Sequence, residues 1–353
     1  MFKKKIPWML LFLLMMGLSI WAVVSRSSSF SFSLLKETIQ TSNPWWLGAA
    51  VVGMLCNILC EGIALDFLVR ALTYEEGKPR IKSHGLLYSS ADIYFSAITP
   101  SASGGQPASA YFMNRDGIPM AKALVILVLN MLFYTASLVI IGVIGFALSR
   151  EIFFELDPLA KIFILVGFAV LVGLCVIFWL LLRKAKWVKG VAIAGIALGA
   201  KFHIVRRKEV LREKLDRAIE QYKECSALIF VHKKTMATAL LFNLLQRASL
   251  VSTTVLVYLA FGGSVANLPS VIAAQCLVLV GVYSLPVPGG MGVADYLLIN
   301  ALSQIAEIES PANLELISRG ISFYSCIALT IIILVVGYFL QTRRIKKRKA
   351  QTK

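Results

Sequence analysis

Long apolar runs separated by short polar stretches dominate the chain. A membrane-crossing helix needs roughly 20 mainly apolar residues, because the hydrocarbon core is about 30 Å thick and a helix rises about 1.5 Å per residue. Six runs meet this requirement, at 6–24, 44–69, 120–148, 159–182, 236–261 and 316–340. The first follows Lys3, Lys4 and Lys5, as the core of a signal peptide does. Its apolar stretch is longer than the usual core of roughly 7 to 15 residues and no small-x-small cleavage site follows, so it reads as a retained anchor.

Two further stretches are apolar but interrupted. Residues 83–119 read SHGLLYSSADIYFSAITPSASGGQPASAYFMNRDGIP, broken from Thr99-Pro100 to Gly104-Gly105-Gln106-Pro107. Residues 267–311 are broken at Pro286-Val287-Pro288-Gly289-Gly290. The halves are too short to cross, and the two flanks of each fall on one side of the membrane. The pattern therefore predicts an all-α polytopic membrane protein forming a single domain, with about six full spans and two inverted re-entrant hairpins. The first hairpin enters from the cytoplasm and the second from outside. Pro and Gly leave backbone groups unpaired that lipid cannot satisfy, so such breaks persist only when packed in protein or lining a wet cavity. Interrupted segments entering from opposite faces point to a transporter whose half-helix ends meet near the midplane, where free N–H groups suit a phosphate. Two kinked crossing helices, making eight spans, are the competing reading.

Charge adds an orientation. With the N-terminus in the cytoplasm and alternating spans, all but six of the 36 Lys and Arg fall on the cytoplasmic side. Arg26, Lys36, Arg150 and Lys161 lie outside, and Arg247 and Arg319 lie within spans. This positive-inside pattern predicts both termini in the cytoplasm of a cell-membrane protein and accounts for the net charge of +17 without nucleic acid. Only 16% of residues are charged, against about a quarter in soluble domains, which excludes a cytosolic enzyme. The basic segment 183–234 places Leu211, Leu215, Ile219 and Tyr222 at helical spacing beneath a basic face. It reads equally as a helix on the anionic inner leaflet or as a solvated hairpin, and the tail 341–353 is likewise basic and cytoplasmic. Cys56, Cys60, Cys175, Cys225, Cys276 and Cys326 form no CxxC pair, so they read as small buried hydrophobes and no metal or other cofactor is expected.

A charge at membrane depth costs about 2.5 to 3.5 kcal/mol on insertion scales, so each one is a functional candidate. The set is Glu61, Asp66, Asp92, Arg115, Asp116, Arg247, Asp295 and Arg319. Arg115 and Asp116 read as an interfacial pair at the cytoplasmic mouth, Asp66 as solvated near the inner end of its span, and His84 as an interfacial histidine. Glu61 lies deeper, with Asn57 and Cys60 offering a polar side toward a cavity. Arg247 stands mid-span in LLFNLLQRASLVSTT and needs a partner. That partner is a protein carboxylate or, transiently, a lipid phosphate gripped by its planar fork. Asp295 and Arg319 read either as a structural ion pair or as a gate.

The stretch TPSASGGQPASAY (Thr99 to Tyr111) with the Asp116-Gly117-Ile118-Pro119 turn, and PVPGGMGVAD (Pro286 to Asp295) with SRGISFY downstream, resemble the lysylphosphatidylglycerol synthase transmembrane region family, also called flippase-like integral membrane proteins. The resemblance covers almost the whole chain, with Gln106 where Glu often stands and Asp295 where Glu is common. It implies a lipid-handling module, with roles for Gln106, Asp295 and Arg319 and backbone-approach positions at Gly104, Gly105, Gly289 and Gly290. Bifunctional members add a soluble aminoacyl-tRNA-dependent transferase, and no such domain is expected here. The expected function is translocation of an anionic or modified lipid between leaflets, such as aminoacyl-phosphatidylglycerol or a polyprenyl-linked glycan. Arg247 and Glu61 join the residues above as substrate-binding, with none catalytic. The alternatives are transfer of lysine from lysyl-tRNA to phosphatidylglycerol, and a non-transporting envelope scaffold. Expected partners are membrane lipids and the anionic inner leaflet, with a separate lipid-modifying enzyme or further copies of the chain beside them.

Overall fold

A computed structural model describes residues 40, 42–74, 82–99, 103–190, 193, 208–283, 292–305, 308 and 311–351. The expected span 6–24 and the break Pro286–Gly290 lie outside them. Every regular element among the described residues is helical, and six segments have the length and apolarity to cross a membrane: 44–72, 120–148, 158–183, 233–260, 265–283 and 311–345.

Helix α1 (Pro44–Leu72) starts where the Asn43 side chain accepts the Trp45 N–H at 3.1 Å, with Pro44 pre-set for the first turn. It runs beside α8 (Lys233–Ala260) along a seam of small and polar residues. Ser249 donates to the Gly53 carbonyl at 2.5 Å and Asn57 to the Gln246 carbonyl at 3.1 Å. Lipid gives apolar helices no reason to associate with one another, so close backbones and interhelical hydrogen bonds must hold such a seam. Helices α4 (Met120–Leu148) and α6 (Pro158–Arg183), joined by the short α5 (Arg150–Glu155), complete this part of the bundle.

The first interrupted segment forms α2 (Gly85–Ile98) and α3 (Gly105–Arg115), packed on each other. At 14 and 11 residues they reach only about 21 and 17 Å, short of the hydrocarbon thickness. His84 Nδ1 lies 2.8 Å from Asp116 Oδ2, and the Tyr88 hydroxyl donates to the same oxygen at 2.5 Å. The hairpin thus enters and leaves at one end of the bundle.

The second interrupted segment enters from the other end. A 3-10 turn (Val265–Asn267) leads into α9 (Leu268–Tyr283), and α10 (Val293–Leu302) returns. Although 265–283 is long enough to cross, α9 stops beside Tyr134, halfway along α4, with ring centroids 6.0 Å apart. On the way back, Tyr296 and Asn300 of α10 donate to the Asp157 carboxylate, each at 2.6 Å, where Asp157 caps α6. Helix α11 (Pro311–Arg319), a π-helical turn (Gly320–Ser325) and α12 (Cys326–Gln351) then cross fully.

In the basic segment, α7 (Lys208–Val231) turns Ile219, Tyr222 and Cys225 onto protein. The Tyr222 hydroxyl donates to the Leu181 carbonyl at 3.1 Å, and the Cys225 thiol lies 3.7 Å from the Leu72 carbonyl. Ile219 and Tyr222 of the apolar stripe read from the sequence therefore lie against protein, at the ends of α4, α6 and α1.

Candidate functional site in the polar layer between two cores

The apolar interior is divided in two. One core holds Ala50, Met54 and Ile58 of α1, Leu138 and Ile141 of α4, and Leu250 and Val251 of α8. The other holds Ala64 and Leu65, Leu127 and Leu129, and Met236 and Ala239 of the same helices. Between them lies a polar layer to which α1 gives Glu61, α4 Asn130 and Tyr134, α8 Asn243, Gln246 and Arg247, and the first hairpin Asp92 and Gln106. These three long helices thus break their apolar pattern at the same depth.

Glu61 is 3% exposed and accepts from Gln246 Nε2 at 2.8 Å. Asp92 accepts from Gln106 Nε2 at 2.8 Å and from Ser96 Oγ at 3.3 Å. The two carboxyl groups also lie side by side in this layer. Arg247 is 3% exposed, with its guanidinium carbon 4.2 Å from the Tyr134 ring centroid and 5.6 Å from that of Tyr283. Both distances are within cation–π range. Among the described residues no carboxylate comes within 4.0 Å of Arg247, and its Nε has no hydrogen-bond partner. The amide oxygens of Gln106 and Gln246 are likewise buried without a donor. The Asn243 amide oxygen is a fourth; a buried polar atom left unpaired costs about 1 to 3 kcal/mol, so four in one layer mark a place built for water or a ligand.

Gly105 serves this layer from within the hairpin. A Cβ there would overlap Asp92 Oδ1 and Ser96 Oγ and lie 2.6 Å from the Asp92 carbonyl oxygen. What Gly105 admits is therefore its own hairpin partner. Gly104 is similarly close to Thr99, whose hydroxyl accepts the Gly104 N–H at 2.8 Å. Gly289 and Gly290 lie outside the described residues.

Beside the second hairpin, Arg319 pairs with Asp295 and lies 3.8 Å from Glu315 one turn earlier. Asp295 also accepts the Gly292 N–H at 3.0 Å, and Gly292 has φ +81°, a conformation that favours glycine. The sequence brought Asp295 and Arg319 together correctly. It gave no sign of Glu315.

At the base of the first hairpin, the expected Arg115–Asp116 pair does not form. Arg115 donates to Thr342 at 2.8 Å and stacks over Tyr338 at 4.6 Å, while Asp116 takes His84 and Tyr88. The helix C-cap aims the two neighbouring side chains apart. Burial alone would raise the Asp116 carboxyl, but the hydrogen bonds from His84 and Tyr88 outweigh it and hold the group below its ordinary range. His84 is joined on its other side by Arg344, and Gln341 Nε2 donates to the Phe112 carbonyl at 3.0 Å. Asp66 is a cap: it accepts the Gly85 N–H at 2.8 Å and the Ser83 hydroxyl.

Of the expected site residues, Glu61, Gln106 and Arg247 meet in one layer, and Gly105 supports it. Arg319 and Asp295 form a second centre on the opposite hairpin. Sequence reasoning named Asp92 a candidate as a charge at membrane depth but gave it no specific role, and it passed over Tyr134 and Tyr283. The polar spacing Ser89, Asp92, Ser96 along one face of α2 was the available signal for the first.

The profile of the family described as "Lysylphosphatidylglycerol synthase TM region" matches residues 8–330. No curated protein matches the chain significantly, and no solved structure does.

Proposed function

Because the chain belongs to the lysylphosphatidylglycerol synthase TM region family, a family of membrane proteins with a lipid-related role, we propose that it moves a phosphate-bearing lipid between leaflets, with Arg247 as the midplane phosphate ligand. The observation that carries this reading is a guanidinium 3% exposed, without a carboxylate within 4.0 Å among the described residues and with a free N–H. With no carboxylate in direct contact, its N–H groups stay open to an arriving anion, and a planar guanidinium suits a phosphodiester oxygen pair. Tyr134 and Tyr283 hold the cation in place from two helices. The hairpins enter from opposite ends, so a headgroup reaches the layer from either side while its acyl chains stay in lipid. The family's name points to lysylphosphatidylglycerol, which carries such a phosphodiester.

The test is transport of fluorescent phosphatidylglycerol in vesicles holding the purified protein. Arg247→Gln should abolish movement with the fold retained, and Arg247→Lys should keep a small fraction. Movement by the Gln variant at the parental rate refutes the assignment. In this reading α7 and the end of α12 face the cytoplasm, and cysteines placed at Lys223 and Asn267 should label from opposite sides.

A further inference from the structure

The Glu61–Asp92 contact is not explained by phosphate binding alone, since carboxylates repel an anion. Glu61 and Asp92 are 3% and 9% exposed, and two buried carboxyl groups side by side cannot both stay ionised, so one of them carries a proton. Asp92 accepts from both Gln106 and Ser96, whereas Glu61 accepts from Gln246 alone. Asp92 is thus the better stabilised carboxylate, and Glu61 is the group that holds the proton and donates it to Asp92. The ionisable groups facing the pair are Arg247 of α8, the Tyr134 phenol of α4 and the Cys326 thiol of α12. Tyr283 of α9 faces it through Arg247.

The charges then balance: Arg247 contributes +1 and the singly protonated pair −1. A lipid phosphodiester arriving at Arg247 brings a further −1 into a layer with little water. Neutrality is restored when one more proton binds and both carboxyl groups become neutral. The unpartnered amide oxygens of Gln106 and Gln246 flank the two carboxyl groups, in place to accept a hydrogen bond from a newly protonated acid or from a water delivering the proton.

We propose that Glu61 and Asp92 form a proton site linked to the anion site at Arg247, so that each lipid phosphate crosses together with one proton. The proton enters from the aqueous phase on the side where the lipid binds, resides on the Asp92 carboxylate, and leaves to water on the other side when the phosphate leaves. For a lipid whose only charge is its phosphate no net charge moves, and a proton gradient pulls it in the direction in which protons run down. The inference rests on Arg247 as the phosphate ligand. It adds the energy source that this reading lacked.

Two measurements on the full chain in detergent test it. Infrared spectra at neutral pH should show the C=O stretch of a buried carboxylic acid. Glu61→Gln and Asp92→Asn should each remove it, because a lone carboxylate beside Arg247 stays ionised. Gln106→Glu, a folding-independent second probe, should instead add a further acid band by placing a third carboxyl beside Asp92. Calorimetric titration with short-chain phosphatidylglycerol in buffers of different ionisation enthalpy should show uptake of one proton per lipid, lost in the double variant Glu61→Gln with Asp92→Asn. Lipid binding without proton uptake, or an acid band unchanged in both single variants, overturns the proposal and leaves lipid binding intact. An acid band with the expected variant pattern but no lipid binding instead refutes Arg247 as the phosphate ligand and keeps the shared proton.

Discussion

Replacing Arg319 with Met is expected to be far more damaging than neutralising Asp295, although the two form one ion pair. The side chains of Arg319 and Glu315 are only 14% and 8% exposed, and they lie 3.8 Å apart. At an effective dielectric of about 20, unit charges at that distance attract by about 4 kcal/mol. Asp295 is 38% exposed, so solvent screens its share to about 0.2 to 1 kcal/mol. Removing Arg319 strands Glu315 without its cation and should cost roughly 3 to 5 kcal/mol, whereas Asp295→Asn should cost under about 1 kcal/mol. The double variant Glu315→Gln with Arg319→Met should recover most of the loss, since the only charge then left unpaired is the solvent-screened Asp295. Thermal unfolding of the detergent-solubilised protein measures these three variants, with Glu315→Gln alone as the reference for additivity. Equal losses for Arg319→Met and Asp295→Asn, or additive losses in the double variant, would refute the argument. The stable Asp295→Asn protein also distinguishes a fixed pair from a gate, because only a gate loses transport when the outer pair is opened.

Gly105→Ala forces a methyl group against Asp92 and Ser96 and should cost about 1 to 3 kcal/mol as an overpacked core does. Gly173→Ala, whose Cβ meets nothing within 4 Å, is the control, and equal melting temperatures for the two variants would contradict the packing described. Asp116→Asn should lower stability at pH 7 by about 1.5 to 3 kcal/mol, the range for hydrogen bonds to a charged group. Because the folded-state carboxyl lies below its ordinary value, its contribution is complete above the ordinary value and is lost as pH falls through the folded one. The gap in melting temperature between parent and variant should therefore close in acid, and a gap that persists there would rule out a charged Asp116.

The spans were legible because the membrane imposes one simple rule. Apolar runs at 44–69 and 120–148 became helices Pro44–Leu72 and Met120–Leu148, extended only by residues that pack at the ends. Both hairpins were legible from Pro and Gly set inside apolar sequence, which a continuous crossing helix would tolerate poorly. The site was only half legible. Glu61 and Arg247 stood out as charges in apolar surroundings, but Gln246, 185 positions from Glu61, and Tyr134 look like ordinary members of their helices. No periodicity shows which buried polar groups share a depth. That emerges only when three helices with separate interruptions are aligned side by side. The Arg115–Asp116 expectation failed for a local reason: adjacent residues at a helix end point in different directions.

The base of the first hairpin also sets an order of assembly. Phe112 waits for Gln341, 229 positions later, and His84 for Arg344, 260 positions later. At a synthesis rate of about 5 to 20 residues per second, the ribosome takes roughly 10 to 50 s to supply them. Throughout that interval a segment too short to cross the bilayer carries Asp92, Gln106 and an open base without its last helix. The hairpin is therefore made long before its base can be locked.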